Sequence, residues 1–123
     1  MQRTTRQRAA ILAAIDSAAM PLTPRGILEL AQRDAPGLGI ATVYRTVREL
    51  LADGTISIVD LPGEPVHYEL AGRGHHHHFQ CRGCSAVYEV RGCPEGLSRL
   101  TPKGFRLERH ELVLYGLCNS CAA

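Results

Sequence analysis

The sequence contains no apolar run that approaches the ~20 residues needed to span a bilayer. Its basic start, MQRTTRQRAA, leads into AILAAIDSAAM, which is short and includes Asp16, so the segment indicates an amphipathic helix and not a signal peptide. We therefore expect a cytoplasmic protein, in a compartment that keeps thiols reduced. There the five cysteines favour metal ligation, and their odd number argues against a set of paired disulfides.

The sequence also lacks a strong charge of either sign, with a net charge of +2. Residues 1–53 carry seven Arg against five acidic residues, whereas residues 54–123 carry seven Arg or Lys against seven. This small excess permits binding to nucleic acid without requiring it. A chain of 123 residues with 45% hydrophobic composition can form one ordinary domain or two small ones. Two small domains would each need help from a metal or a partner subunit.

The N-terminal part of the chain shows the spacing of three short helices. Residues 4–19 carry apolar side chains close to a helical stripe. Thr23 is the expected N-cap of the second helix, with Pro24 at its first position. In the third, GIATVYRTVRELLADG, Thr42 is the expected cap and Gly54 ends the helix.

Strand-like segments follow the helices. TISIVDL and VHYEL alternate apolar and polar residues around a Pro-Gly-Glu-Pro turn, which predicts a hairpin. Three helices and a hairpin describe a winged-helix domain over residues 1–70. The small residues 71–74 (AGRG) are the expected hinge. Residues 75–123 contain three more strand-like runs, HHFQC, AVYEV and FRLERHELVLYGL, with one short helix at most, so we predict an α+β fold with a second, small α/β domain.

Tyr44, Arg45 and Arg48 fall on the exposed face predicted for the third helix. Tyr and Arg near the start of such a helix suit contact with a thymine methyl group and with guanine. Thr42 and Thr46 are candidates for phosphate contacts. The arginines that open the first helix are further candidates for the DNA backbone: Arg3, Arg6 and Arg8. A solvated helix face would show the same pattern, so these residues permit DNA binding without deciding for it.

Two Cys-x-x-Cys pairs are the strongest chemical signal in the chain. Cys81 and Cys84 form the first pair, and Cys118 and Cys121 form the second. Zn²⁺ accepts four thiolates in a tetrahedron, and each pair can wrap two of them around one ion. Redox motifs or buried free cysteines are the alternatives. Two pairs of equal spacing favour structural zinc, whose binding energy would contribute to folding.

The run HHHH precedes the first cysteine pair. Alternate residues of a strand share a face, so His76 and His78 should lie on one side and His75 and His77 on the other. One histidine run can thus supply two separate metal sites. An engineered tag or an exposed polar patch would explain the run without any function.

The chain resembles the ferric uptake regulator (Fur) family of metal-dependent transcriptional repressors. The resemblance is carried by the Thr-x-Gln-Arg opening of the first helix, GIATVYRTVRELLADG, the hairpin ending HYEL, HHHHFQCRGC and HELVLYGLCNSC. It implies a winged-helix DNA-binding domain, a hinge and an α/β dimerisation domain. It also implies a homodimer that binds palindromic double-stranded operator DNA when loaded with a divalent metal, without contact with a membrane.

The resemblance implies three metal sites. The structural zinc site comprises the four cysteines: Cys81, Cys84, Cys118 and Cys121. The sensory site spans the hinge and comprises two acids and two histidines: Glu69, His76, His78 and Glu89. An additional site in the dimerisation domain comprises His75, His77 and His110, with Cys93 or Glu95 as candidates for its fourth ligand. A free thiol is the alternative for Cys93.

The chain also departs from the family pattern. Pro21 stands where many relatives have a histidine ligand of the sensory site, and His67, two residues from Glu69, is the expected substitute. The segment 92–104 is shorter than in relatives, so the long helix of the dimerisation domain should be reduced. His77 stands where iron-sensing relatives often have Asp, and Cys93 is a candidate soft ligand, so both favour zinc as the regulatory ion, in the manner of a zinc uptake regulator. The carboxylates Glu69 and Glu89 favour Fe²⁺ or Mn²⁺, which stay alternatives, as does peroxide sensing.

Functions of other classes lack their signatures. A zinc hydrolase needs an open coordination position and a nearby general base, and no His-Glu-x-x-His or comparable motif occurs. A metal-storage module would use the histidine run but would not need the exposed face of the third helix. We therefore expect a regulator and not an enzyme.

Overall fold

The computed structural model describes the backbone of residues 2–123 and the side chains from residue 5 onward. The chain divides into two compact units, residues 1–73 and 74–123. Among the described residues, no helix has both the length and the apolar character required to cross a membrane.

Unit 1 consists of three helices and a hairpin, as predicted. The elements are α1 (Gln2–Ser17), α2 (Pro24–Ala31), α3 (Ile40–Ala52), β1 (Ile56–Val59) and β2 (His67–Leu70). The two strands are antiparallel, with Ile56 opposite Leu70. Backbone hydrogen bonds between Leu22 and Tyr68, 2.8 and 3.0 Å long, attach the segment before α2 to the hairpin. The winged-helix prediction is therefore confirmed, and with it the α+β class.

Local sequence explains how the helices of unit 1 begin. The Thr23 hydroxyl accepts a hydrogen bond of 3.1 Å from the Gly26 N–H, and Pro24 occupies the first turn, as predicted. The Thr42 cap was wrong: α3 begins at Ile40, and extended Gly39 is its N-cap. Starting there lets Ile40 pack against the core. That core joins the three helices and the first strand and is made of Ala10, Ile11, Ala14, Ile15, Ile27, Ala31, Ala35, Leu38, Val43, Val47, Leu50 and Ile56.

Unit 2 is built on a three-stranded sheet of order β4-β3-β5. Its strands are β3 (His77–Cys81), β4 (Val87–Val90) and β5 (Val113–Gly116). β3 runs antiparallel to β4 and parallel to β5. A single turn of 3₁₀ helix (Leu97–Leu100) and a short helix α4 (Asn119–Ala122) complete it.

Two expectations about unit 2 have different outcomes. The one short helix at most between β4 and β5 is confirmed by the four-residue 3₁₀ turn. The long third strand was wrong, because only residues 113–116 of the run 105–117 pair with β3. Phe105 and Leu107 are exposed, so the apolar alternation that indicated a strand does not reflect burial in this chain.

Candidate metal centres and DNA-reading surface

The four cysteines of the two Cys-x-x-Cys pairs lie together at one end of the sheet. Cys81 ends β3, Cys84 lies in the turn before β4, and Cys118 and Cys121 flank the start of α4. Their sulfur atoms all lie within 4.8 Å of one another. Cys84 Sγ and Cys118 Sγ are 3.8 Å apart, and two sulfurs on a tetrahedral zinc with Zn–S bonds of ~2.3 Å should also be about 3.8 Å apart. The donor set and its spacing fit a structural zinc ion.

Backbone amide groups favour the thiolate form of Cys81, which is the form that binds a metal ion. The N–H groups of Gly83, Cys84 and Cys118 donate to Cys81 Sγ over 3.3 to 3.4 Å. Hydrogen bonds from the backbone, that of Cys118 foremost, lower the pKa of the Cys81 thiol to about 6. Hydrogen bonding to the thiols of Cys81, Cys118 and Cys84 raises the pKa of Cys121 to about 12. The raised pKa of Cys121 opposes ionisation of all four thiols without a cation, so zinc binding would displace the remaining protons.

Gly83 has a role that the sequence analysis missed. A Cβ at this position would lie 2.9 Å from Cys121 Sγ and 3.0 Å from Cys121 Cβ. Only glycine lets the turn between Cys81 and Cys84 approach the second cysteine pair so closely. The signal was present in the sequence, since the first pair reads Cys-Arg-Gly-Cys.

Gly83→Ala should therefore push Cys121 out of position and weaken zinc binding. We expect a loss of about 1–3 kcal/mol in the stability of the zinc-loaded protein, the usual cost of an overpacked site. Thermal unfolding and competition with a chelator would measure it. Gly37→Ala is the matched control, since a Cβ there meets nothing within 4 Å. Equal zinc retention in the two variants would contradict the role of Gly83.

A second cluster combines three histidines with the fifth cysteine. His75 precedes β3, His77 opens it, Cys93 follows β4 and His110 precedes β5. Their donor atoms lie within 4.8 Å of one another. Cys93 Sγ is 2.9 Å from His110 Nε2 and 3.5 Å from His77 Nε2. Glu95, the alternative fourth ligand, is exposed and is not part of this cluster of described residues.

Burial favours the neutral form of His77, a member of this second cluster. His77 is 2% exposed. Burial, followed by repulsion from the neighbouring histidines, lowers the pKa of His77. A neutral imidazole has a lone pair available for a metal, so the cluster is suited to cation binding.

His76 and His78 lie on the other face of the strand, as the alternation of side chains requires. Their ring centroids are 4.9 Å apart. His76 Nε2 is 3.6 Å from Glu89 Oε1, and its Nδ1–H donates to the Gly74 carbonyl over 2.9 Å. Glu89 stands opposite His78 in the β3–β4 register and also pairs with Arg91. Within unit 2, His76 therefore lies beside both Glu89 and His78.

The remaining candidates for the sensory site lie on β2 in unit 1. Glu69 stands opposite Ser57 in the hairpin. His67 is buried, and its Nδ1–H donates to the Pro65 carbonyl over 2.8 Å. That hydrogen bond assigns the proton to Nδ1 and leaves Nε2 as the ring atom that could bind an ion.

The outer face of α3 carries the predicted DNA-reading residues. Tyr44 is 52% exposed, and Arg45 and Arg48 are exposed, while the opposite face packs into the core. Thr42 accepts a hydrogen bond of 3.3 Å from the Arg45 guanidinium. Thr46 is only 6% exposed, so its expected phosphate contact was wrong. It falls on the inner face, between Val43 and Leu50.

Two arginines of α1, Arg6 and Arg8, have partners within unit 1. Arg8 pairs with Glu49 at 2.8 Å and with Asp53 at 3.3 Å, both near the end of α3. Arg6 donates to the Asp34 carbonyl. The side chain of Arg3 lies outside the described residues. Arg8 and its two partners are 41 and 45 positions apart in the sequence, so no local pattern indicates these ion pairs, and the sequence analysis missed them.

Comparisons with known proteins agree with this architecture. The model of the Ferric uptake regulator family matches residues 2–115. The chain is 32% identical over 122 residues to the ferric uptake regulation protein of Campylobacter jejuni, covering 95% of this chain and 78% of that one. Among solved structures it is similar to a zinc-bound manganese uptake regulator, with 28% identity, a TM-score of 0.81 and coverage of 91% and 87%. It is also similar to FurB, a zinc uptake regulator from M. tuberculosis, with 26% identity, a TM-score of 0.55 and coverage of 98% and 95%.

Proposed function

This chain belongs to the Ferric uptake regulator family of metal-responsive transcriptional regulators, and from that premise we propose that it is a repressor. In this proposal it binds palindromic operator DNA as a homodimer when loaded with a divalent metal, and controls metal uptake or homeostasis from the cytoplasm. The observation that carries the proposal is the outer face of α3, which holds Tyr44, Arg45 and Arg48 away from a tightly packed core.

In the proposed complex α3 enters the major groove of the operator. The Arg45 guanidinium can form two hydrogen bonds with a guanine, and the Tyr44 ring can contact a thymine methyl group. Thr42 would bind phosphate or orient Arg45, to which it is already hydrogen-bonded. Arg8 is shared between Glu49 and Asp53, so we assign it chiefly to holding α1 against α3. Its positive charge would add to the attraction of the backbone.

Metal control is proposed to act through Glu69, His76, His78 and Glu89, with His67 as a further candidate ligand. Only six residues separate Glu69 from His76, and Gly72 and Gly74 among them adopt positive φ angles. A cation bound by ligands from both units would select one arrangement of the two DNA-binding units of the dimer. Successive major grooves could then be read together.

Zinc is slightly favoured as the regulatory ion. The proposed sensory site offers two imidazoles, and a third if His67 joins it, against two carboxylates, and imidazole suits zinc well. Iron and manganese are the alternatives, since carboxylate ligands suit harder ions and since relatives are named for iron, manganese and zinc. Peroxide sensing by an iron-loaded form is a further alternative within the same family.

The proposed dimer is supported by exposed apolar side chains in unit 2. Leu100 is 79% exposed and Phe105 is 72% exposed, and Leu107 is exposed as well. Further exposed apolar residues lie on β5 and just after it: Leu114, Tyr115 and Leu117. Burying such side chains against a second copy is favourable at about 25 cal/mol per Å² of apolar surface. A monomer would leave them in water.

Arg45→Ala tests the proposed reading of DNA. We expect operator binding to weaken by about 1–3 kcal/mol in each half-site, the worth of a bidentate contact with guanine. Tyr44→Ala should also weaken it, and both variants should keep the dimer and its zinc. Gel-shift titrations with metal, on duplexes selected from a random pool by the metal-loaded protein, would measure the loss.

Arg33→Ala is the matched control for this experiment, because Arg33 is exposed, carries the same charge and lies outside α3. An equal loss of operator affinity in Arg33→Ala would show that the effect comes only from the change in net charge. Loss of folding in Tyr44→Ala would show that this ring is part of the core. Wild-type affinity in both α3 variants would contradict the proposed interface.

A further inference from the structure

The cluster of His75, His77, Cys93 and His110 is the second place in unit 2 where four donors meet. We propose that Cys93 determines the metal specificity of this site, so that it binds ions of the zinc class, Zn²⁺ and Co²⁺, and discriminates against Mn²⁺ and Fe²⁺. The inference goes beyond the proposed function, which places metal control in the other group of histidines. The binding itself stands on the geometry of these four side chains.

The spacing of the donors fits one shared ion. His110 Nε2 lies 3.2 Å from both His75 Nε2 and His77 Nε2. A tetrahedral zinc with Zn–N bonds of ~2.0–2.1 Å requires nitrogens about 3.3 Å apart and a thiolate sulfur about 3.6 Å from each. Cys93 Sγ is 3.5 Å from His77 Nε2 and 3.7 Å from His75 Nε2, and its 2.9 Å distance to His110 Nε2 would lengthen on binding.

The donor types decide which ion fits best. Three imidazole nitrogens and a thiolate are borderline to soft ligands, which zinc and cobalt accept in tetrahedral sites. Mn²⁺ prefers carboxylate, carbonyl and water oxygens in octahedral sites. None of the described members of this cluster carries an oxygen donor. Replacing the thiol at position 93 with a carboxylate would change the preference toward the harder ions.

The site would also hold together a part of unit 2 with little regular structure. Between β4 and β5 the described chain forms only one 3₁₀ turn, and the ligands Cys93 and His110 lie at either end of this connection. His77 anchors the cluster at the start of β3, where it is 2% exposed, whereas Cys93 is exposed. An ion can therefore enter from the side of Cys93 and join three separate segments.

Cobalt spectroscopy on the full-length protein tests the assignment. The protein is first loaded with one zinc per chain, which fills the site of four cysteines, and is then titrated with Co²⁺. We expect the absorption of tetrahedral cobalt together with a thiolate-to-cobalt charge-transfer band. Cys93→Ser should abolish that band. The same variant should lower zinc affinity at this site by about 10–100-fold or more, since losing even a residue that only hydrogen-bonds to a metal ligand usually costs that much.

Cys93→Glu supplies the decisive second variant. It should still bind one ion, but the ratio of its Mn²⁺ affinity to its Zn²⁺ affinity should be higher than in the wild type, in competition experiments followed by metal analysis. Retention of the first zinc in both variants would show that unit 2 remains folded. A charge-transfer band that persists in Cys93→Ser would overturn the inference, as would wild-type protein that binds Mn²⁺ as tightly as Zn²⁺ at this site.

Glu95→Gln separates the two candidates for the fourth ligand. We expect this variant to keep the cobalt spectrum. If Glu95→Gln lost the spectrum while Cys93→Ser kept it, the Glu95 carboxylate would be the fourth ligand and the inference would be overturned. DNA binding is measured separately on the same samples. Normal cobalt results without metal-dependent DNA binding would contradict the proposed function and leave the ligand assignment of Cys93 standing.

Discussion

Cys81→Ser is expected to release the zinc of the four-cysteine cluster and to unfold residues 74–123. Cys81 is fully buried at the end of β3 and accepts hydrogen bonds from three backbone amides. A serine hydroxyl does not ionise at neutral pH, so it would leave the zinc with three ligands. Binding of structural zinc contributes about 10–16 kcal/mol to the folding of zinc-finger peptides. The whole free energy of unfolding of a typical domain is only about 5–15 kcal/mol.

The two units should respond very differently to loss of this zinc. Among the described residues of unit 2, the buried hydrophobic ones are Val87, Cys81 and Cys118, so two of the three belong to the metal cluster. Unit 1 has its own core of aliphatic side chains from three helices. Most of the helical signal in circular dichroism should therefore survive, while the proposed dimer weakens.

Zinc content after gel filtration and the mass of the eluting species would measure this result. Cys93→Ser is the matched control, since it makes the same substitution in the other cluster and should keep the first zinc. A Cys81→Ser protein that stays dimeric with full zinc content would contradict the structural role of this cluster.

Short motifs were the most predictable part of the chain. Thr23 and Pro24 begin α2 as expected because a cap and a first-turn proline act over three residues. Cys-x-x-Cys spacing brings two sulfurs together through one turn, whatever the rest of the fold does. The hairpin was equally local, since its two strands are joined by a turn rich in Pro and Gly.

Features that depend on tertiary packing were not predictable from the pattern. The alternation in FRLERHELVLYGL indicated a strand, yet the sheet pairs only residues 113–116, and Phe105 and Leu107 are exposed. Thr46 was assigned to the outer face of α3, but the core reaches around the helix far enough to bury it. Helical spacing alone does not set the width of the buried face.

The choice between Cys93 and Glu95 as the fourth ligand was likewise not predictable from the sequence pattern. Both residues follow β4, and the sequence alone allows either to reach the histidines. Spacing along an irregular segment does not determine in which direction a side chain points. In the structure, Gly92 adopts a φ angle of 101°, and the Cys93 sulfur lies against His77 and His110. A conformation available mainly to glycine thus precedes the residue that joins the cluster.

His76→Ala is expected to remove the gain in DNA affinity that metal produces, while folding and the zinc of the four cysteines are retained. The His76 side chain is only 9% exposed, and its Nε2 lies 3.6 Å from a Glu89 oxygen. Its loss would remove a central ligand from the proposed sensory site. Coupling between two binding sites usually changes affinity by about 5–150-fold, and in this variant that ratio should fall to about one.

The measurement is a pair of gel-shift titrations for each protein, with the regulatory metal and with a chelator too weak to remove the structural zinc. His110→Ala is the matched control, because it removes one imidazole from the cluster that contains Cys93 and leaves His76 and His78 in place. It should lose one bound ion but retain metal-dependent DNA binding. The reverse result, with dependence lost in His110→Ala and kept in His76→Ala, would transfer the sensory role to the cluster that contains Cys93. His75 and His77 lie in that cluster, whereas His76 and His78 lie on the other side of the strand, so the two pairs are proposed to bind separate ions.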